Sequence, residues 1–272
     1  MQQLPPLLLD TELFSINQIN NLPDEQRRQV YCRLVPRQVL QRLGIDPETL
    51  ADGEGRSLLE LKCSLGTSSV ELSLYHVWGA ADPAMYLQMA DTPNNQIEVL
   101  LFIINDPYSE RFGTDRLPDG TPTYFGTLGR NIEEEVRAMK AGLAPGQVHS
   151  GLGLTRRLIP TLEHFVADLN HNAVYIQPLA YHNAILFERV GFSYMLGLGR
   201  MEWIGKEFAP GGLLFKRLDG STPFRRPGAD TSVRGRSWAI HDGILGEPYT
   251  GVKMYKRVGV HAGVVTFPNA VW

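Results

Sequence analysis

Three groups of residues in this chain have the types and spacing for chemistry. The first is a glycine-rich turn, Val148-His149-Ser150-Gly151-Leu152-Gly153-Leu154. Apolar residues at Leu154, Leu158, Leu162, Phe165, Val166 and Leu169 follow at gaps of three and four, so they share one helical face. A glycine-rich turn that opens a helix leaves backbone N–H groups without partners, and the helix dipole adds partial positive charge there. Residues 149 to 154 are therefore an expected cradle for a phosphate or pyrophosphate, with Gly151 and Gly153 letting the anion approach the main chain. The second group is carboxylates at the ends of the apolar run Val99 to Ile104: Glu98 before it, Asp106 and Glu110 after it. By itself Glu98 reads as a solvated or cross-strand-paired side chain, and neither Asp106 nor Glu110 is singled out as a base. The third is seven histidines, of which His164, His171 and His149 come nearest to a ligand set. No carboxylate or cysteine completes that set, so no metal is expected. No Gly-x-Ser-x-Gly elbow is present for a serine nucleophile.

Composition narrows the classes further. A chain of 272 residues with 43% hydrophobic content can bury a full core. Lys plus Arg is 26 against 29 acidic residues, so no global positive field argues for nucleic acid or an anionic membrane. Cys32 and Cys63 are too few for a disulfide framework and read as buried small hydrophobes. No run approaches the roughly 20 apolar residues needed to span a bilayer. The N-terminal Leu7-Leu8-Leu9 lacks the basic flank of a signal peptide, and a cytoplasmic protein is expected.

The elements that must position these residues can be read in order. Residues 1 to 23 are expected as an extended lead-in. A helix then starts at Asp24, with Val30, Leu34 and Tyr31 inward. Pro36 interrupts it, and a second helix through Val39, Leu40 and Leu43 stops at Gly44. After a polar linker (45–56), four strand-like runs follow: Leu58 to Leu65, Val70 to Trp78, Met85 to Met89 and Ile97 to Asn105. Turn residues between them predict an antiparallel meander, and the wholly apolar Val99 to Ile104 predicts a strand covered on both faces. Residues 106 to 147 form an insertion, with a helix capped by Asn131 and Glu134 at the capping-box position, and a Gly/Pro-rich loop before it. The insertion is expected to act as a lid or as an acceptor-side wall. Pro160 is expected to kink the helix after the glycine turn. Ala173 to Gln177 is a buried strand, and Tyr181 to Val190 a helix capped by Gly191. Beyond it, strands are expected at Tyr194 to Ile204, Leu213 to Arg217, Trp238 to Ile244, Val252 to Val258 and Val264 to Phe267. Between them lies a Gly/Pro loop, 224–236, with Arg225, Arg226, Arg234 and Arg236; it reads as solvated, with a nucleotide phosphate or an acidic partner as the alternative.

Two stretches at a fixed separation resemble the GNAT superfamily of acyl-CoA-dependent N-acyltransferases. Val148-His149-Ser150-Gly151-Leu152-Gly153 is similar to that family's phosphate loop, Gln/Arg-x-x-Gly-x-Gly/Ala. Phe187-Glu188-Arg189-Val190-Gly191-Phe192 is similar to the Tyr-Glu-Lys-x-Gly-Phe that ends its last helix. Val148 stands where the family has Gln or Arg. Phe187 stands where it often has the Tyr that protonates the leaving thiolate. The resemblance implies an α/β fold: a GNAT-like mixed, mainly antiparallel sheet flanked by helices, in one domain over 1–272. In that plan 1–56 is a helical lead, 57–205 the core, and 206–272 a β-rich extension. It also implies acetyl-CoA or another acyl-CoA as co-substrate, with Val148 to Leu154, Asn183 and Phe187 at the cofactor and Glu98 as base. The activity implied by the resemblance is N-acyl transfer, with acetyl as the expected acyl group, to a small-molecule or peptide amine. A non-catalytic acyl-CoA or small-ligand sensor is the alternative, and a homodimer stays open.

Overall fold

Proline and glycine set the limits of the first elements. The computed structural model describes residues 12–272, so the expectation for residues 1–11 lies outside the described residues. Within the expected lead-in, Ile16–Asn20 is helical (α1). Ser15 caps it by accepting from the Gln18 N–H at 3.1 Å, and the Asp91 carboxylate accepts from the Ile16 and Asn17 N–H groups at 2.8 and 2.9 Å. That tertiary cap, from a residue far along the chain, makes a helix where local pattern suggested extended chain. Helix α2 (Asp24–Cys32) begins after Pro23, and α3 (Arg37–Leu43) begins after Pro36 and ends at left-handed Gly44. Val30, Tyr31 and Leu34 are fully buried, as their spacing required.

The strands β1 (Leu59–Lys62), β2 (Ser69–Leu74), β3 (Met85–Asp91) and β4 (Ile97–Ile104) pair antiparallel in sequence, as the meander predicted. Helix α5 (Thr155–Asp168) leads to β5 (Ala173–Ile176), which pairs parallel with β4. With β6 (Ser193–Leu196) and β7 (Lys253–Arg257), the strands make a seven-stranded mixed sheet in the order β1-β2-β3-β4-β5-β7-β6. The fold is thus α/β, a mixed sheet with helices around it. Pro160 lies inside α5, which continues through it. The carbonyl that loses its donor belongs to exposed Arg156, where water can satisfy it.

By contact the chain divides into two compact units. The first holds residues up to 107, 151–176 and 255–261; the second holds 108–150, 177–254 and 262–272. The units interleave in sequence, which is why no linker marks a boundary. In the first unit α2 and α5 bring Tyr31 and Phe165 together, with ring centroids 6.4 Å apart.

The second unit corrects several expectations. The segment 106–147 is not a lid over its length. Phe112, Ala138 and Leu143 are buried in one apolar cluster with Phe224 and Trp238. Helix α4 (Ile132–Lys140) is capped by Asn131, but Glu134 does not complete a capping box. Its Oε2 accepts from the Gly113 N–H at 2.7 Å and so holds the preceding loop.

The supposed β-rich tail is mainly helical. Helix α6 (Tyr181–Arg189) is followed by β6, then α7 (Leu198–Glu207) and α8 (Leu213–Lys216). A 3-10 turn at Ala229–Thr231 precedes α9 (Val233–His241). Met201, Ile204 and Phe208 are buried at gaps of three and four, a helical signal that the short apolar runs concealed. No strand forms at Val264 to Phe267. There Thr266 donates N–H and Oγ to the buried Glu188 carboxylate at 3.0 and 2.6 Å.

Candidate functional site

Strand β4 is where a ligand could lie. Against β3 its register slips by one residue: Leu101 faces Gln88, but Val99 faces Met89, so Leu100 is an extra residue, a β-bulge. Against β5 only Ile97, Val99 and the residue between them pair, because β5 ends at Ile176 and Pro178 soon follows. Among the described pairings, residues 100–104 therefore have no strand on their second edge. Their side chains are not covered on both faces as the apolar run predicted. Leu100 is 39% exposed, and Leu101, Phe102 and Ile103 are half-buried. An apolar ledge with unpaired backbone is suited to an extended ligand that carries amides, which can add to a strand edge as another strand would.

The end of this edge meets the glycine turn. A Cβ on Gly151 would lie 3.4 Å from the Ile104 carbonyl oxygen, so the chain leaves β4, makes its long excursion and returns to the same point. Gly153 has φ +70°, and a Cβ there would meet nothing within 4 Å. The left-handed backbone, rather than crowding, accounts for that glycine. Helix α5 starts at once, with Leu154 as an N-cap that has no capping side chain and with no acidic residue in its first turn. Instead Arg156 and Arg157 stand exposed there, with no hydrogen bond or ion pair to their side chains among the described residues. Two cations beside a positive helix end oppose the dipole unless an anion sits between them. The pattern reading overlooked both arginines because it weighed only main-chain donors; basic residues in an uncapped first turn were the available signal.

The other expected site residues divide. His149 is 7% exposed, and its Nδ1 lies 3.2 Å from the Ser109 carbonyl, so its ring is committed to the loop. The Ser150 N–H donates to Ser109 Oγ at 3.1 Å, and the Val148 carbonyl accepts from the Phe112 N–H at 2.8 Å. The free main-chain donors of the turn thus narrow to residues 151–154, which lie in the first unit, whereas Val148 to Ser150 lie in the second. Glu98 faces Ala90 and Tyr175 near the start of β4. It is six residues from Ile104, roughly 20 Å along the strand, but two before Leu100, where the edge opens. Asp106 follows β4 directly, and Glu110 is ion-paired with Arg137.

Asn183 and Phe187 lie on α6 in the second unit. Phe187 is 6% exposed and packs on Phe192 with centroids 5.1 Å apart. The Phe192 N–H donates to the Phe187 carbonyl at 3.0 Å, and the Gly191 N–H to the Glu188 carbonyl at 2.9 Å, around left-handed Gly191. This is a Schellman stop with its apolar contact. The Phe187 to Phe192 hexapeptide is therefore accounted for by helix termination alone. Tyrosine at 187 would place a hydroxyl in that contact, where an unpaired polar group costs about 1–3 kcal/mol. We expect Phe187→Tyr to lower the denaturant midpoint without speeding thiol release from acyl-CoA; faster release at unchanged stability would show that the ring edge faces a reacting group.

The four arginines are not one solvated loop. Arg225 donates Nε to Asp242 at 2.8 Å, and Arg236, 6% exposed, lies 3.4 Å from the Phe267 ring centroid. Of the expected histidines, His171 Nε2 lies 2.8 Å from the Phe14 carbonyl. Among the described residues, no group of three or more His, Cys, Asp or Glu is placed to hold a metal ion, and no helix is long and apolar enough to cross a membrane. No protein-family model, curated protein or solved structure matches this chain.

Proposed function

We propose that the chain is an acyl-CoA-dependent N-acyltransferase of GNAT type, acting on an amine. The observation that supports this most is the continuity of the open β4 edge at residues 100–104 with the Gly151 to Leu154 turn and the unpaired Arg156 and Arg157. A ligand with a diphosphate at one end and an extended, amide-bearing arm at the other fits that sequence of surfaces. The diphosphate takes the free N–H groups and the guanidinium pair, and the arm lies along β4 as an added strand. Its thioester end then reaches toward Leu100, beside Glu98, which is the base in this reading. The bulge at Leu100 interrupts the regular pairing of β4 with β3 at that point, and Leu100 is 39% exposed there. No acid is assigned, because Phe187 has no titratable atom and is held in a helix cap.

Binding is tested on the arginines rather than on Gly151, whose substitution would crowd the Ile104 carbonyl as well as the ligand. In calorimetry with CoA, Arg156→Gln/Arg157→Gln should weaken affinity by about tenfold or more, since charge-assisted bonds to phosphate are the strong ones. Equal affinity in wild type and variant would remove the cradle from this turn. Thiol release with an amine present separates transferase from sensor: tight CoA binding without turnover for any amine would favour the sensor.

A further inference from the structure

The second unit holds a cleft of about 350 Å³ whose lining includes two arginines and neither aspartate nor glutamate. We propose that this cleft, at Met139, Phe224, Arg226, Ser232, Arg234 and Trp238, binds a small oxoanion of the phosphate or phosphomonoester type through Arg226 and Arg234. Two other arginines of this unit have acidic partners, since Arg130 and Arg225 bond Asp242; Arg236 donates Nε to the Asp230 carbonyl at 2.6 Å, while its Nη1 is buried without a hydrogen bond. Arg234 has no partner of either kind among the described residues. Its Nε is buried without a hydrogen-bond partner, its guanidinium forms no ion pair among the described residues, and the nearest aromatic face is Trp272, 5.8 Å away. Burial pulls its pKa below the usual arginine value, with no anion to oppose that. A half-buried guanidinium whose Nε has lost water without gaining a partner is a group that an anion would satisfy. Arg226 stands on a formed turn, closed by the Ala229 N–H donating to the Arg226 carbonyl at 3.0 Å, and its side chain also lacks a partner among the described residues.

The rest of the cleft is rigid and does not compete for the anion. Phe224 and Trp238 stack at 5.2 Å, and Trp238 Nε1 donates to the Leu143 carbonyl at 2.8 Å. The start of α9 offers little itself. The Val233 N–H donates to the Val271 carbonyl, and the Gly235 N–H to Ser232 Oγ. Recognition therefore falls to the guanidinium groups, whose planar donor forks match a tetrahedral oxoanion. These observations are independent of the β4 edge, so this site and the acyl-CoA reading can fail separately.

The test is thermal unfolding against inorganic phosphate, at constant ionic strength with chloride as reference. Phosphate should raise the wild-type midpoint, because a ligand that binds only the folded state stabilises it. Without phosphate, Arg234→Gln should melt close to wild type, since it removes a half-buried cation with no ion pair among the described residues. Its apparent phosphate affinity should fall by about tenfold or more. Arg156→Gln/Arg157→Gln should keep the phosphate effect. No stabilisation beyond chloride, or an effect of the same size in Arg234→Gln, would overturn the proposal. So would an effect that disappears only in the Arg156/Arg157 variant, which would place phosphate on the glycine turn. Should Arg234→Gln not fold, Arg226→Gln decides: a weakened phosphate effect supports the site, and an unchanged one overturns it.

Discussion

Arg130→Ala should lower the unfolding free energy by about 3–5 kcal/mol, the usual cost of leaving buried carboxylates without their cation. Arg130 stands between two of them. It donates Nε and Nη2 to Glu135, which is 3% exposed, and Nη1 to Asp242 at 2.9 Å. Its guanidinium also lies 4.9 Å from the Phe224 ring centroid. Glu135 lies well below the usual carboxylate range. Desolvation by burial, the largest influence on it, pushes the other way, and the bonds from His241 and Arg130 overcome it. In the variant, Glu135 would keep the His241 Nε2 contact at 3.1 Å, and Asp242 would keep Arg225 and Thr222. Those remaining bonds place the expected loss toward the lower end of the range. The effect is large because α4 and α9 are joined through these groups as well as through the cluster of Ala138 and Trp238. Chemical denaturation of wild type and variant checks it. A change under 1 kcal/mol would mean that the network is hydrated and worth no more than a surface ion pair. Arg130→Lys should recover only part of the loss, because an ammonium cannot reach both carboxylates in two planar forks.

Acidification should destabilise the fold through His182, by about 1.4 kcal/mol for each pH unit below its unfolded pKa of about 6.5. His182 is 6% exposed, and its Nδ1 lies 2.9 Å from Ser237 Oγ. Its pKa is pushed down to about 3, first by desolvation on burial and then by the positive charges of Arg234 and His241. The sign follows from proton uptake. The folded state holds His182 neutral across this range, while the unfolded chain gains a proton as pH falls through about 6.5. The contribution of this group is therefore fully present above that pH and is lost progressively on going down toward about pH 3. Over the whole interval the loss is on the order of 4–5 kcal/mol, comparable with a sizeable part of a domain's stability. The window from pH 7 to 5 avoids most carboxylate titration. His182→Asn keeps an acceptor near the Nδ1 position and cannot titrate, so its stability should fall less steeply with pH by about 1 kcal/mol per unit. Parallel pH profiles for the two proteins would show that His182 opens to water in the native state.

Both effects lie in the second unit, which the primary structure describes least well. The reason is visible in particular residues. Glu135, Asp242, His182 and Glu188 are polar in type, so a pattern of apolar periods assigns them to the surface. Their polar groups are covered because Arg130, Arg225, Ser237, Tyr194 and Thr266, partners that lie from five to 78 residues away, satisfy them. The same limit explains the strands expected at Tyr194 to Ile204 and Trp238 to Ile244. Short apolar runs fit either period: Tyr194 to Leu196 do lie in β6, but a helix starts after Gly197, and Ser232 and the packing of Trp238 make the later run helical.

What the amino-acid sequence determined by itself is what short-range stereochemistry enforces. Pro23, Pro36 and Gly44 delimit α2 and α3, turn residues separate the four antiparallel strands, and Asn131 starts α4. The glycine turn before α5 and the Gly191 stop of α6 were equally legible, since left-handed backbone at Gly153 and Gly191 calls for glycine. Tertiary structure alone decided whether the chemistry of those residues comes together. The Leu100 bulge and the early end of β5 leave the second edge of β4 unpaired, and the return of Gly151 to the Ile104 carbonyl joins that edge to the turn. An unpaired edge is a property of what lies beside a strand, and apolar residues at 100–104 read the same whether a neighbour covers them or not. For Arg156, Arg157 and Arg234 the reason is also physical: a charge in a sequence carries no record of its partners, and only the packed chain shows which cations have none among the described residues.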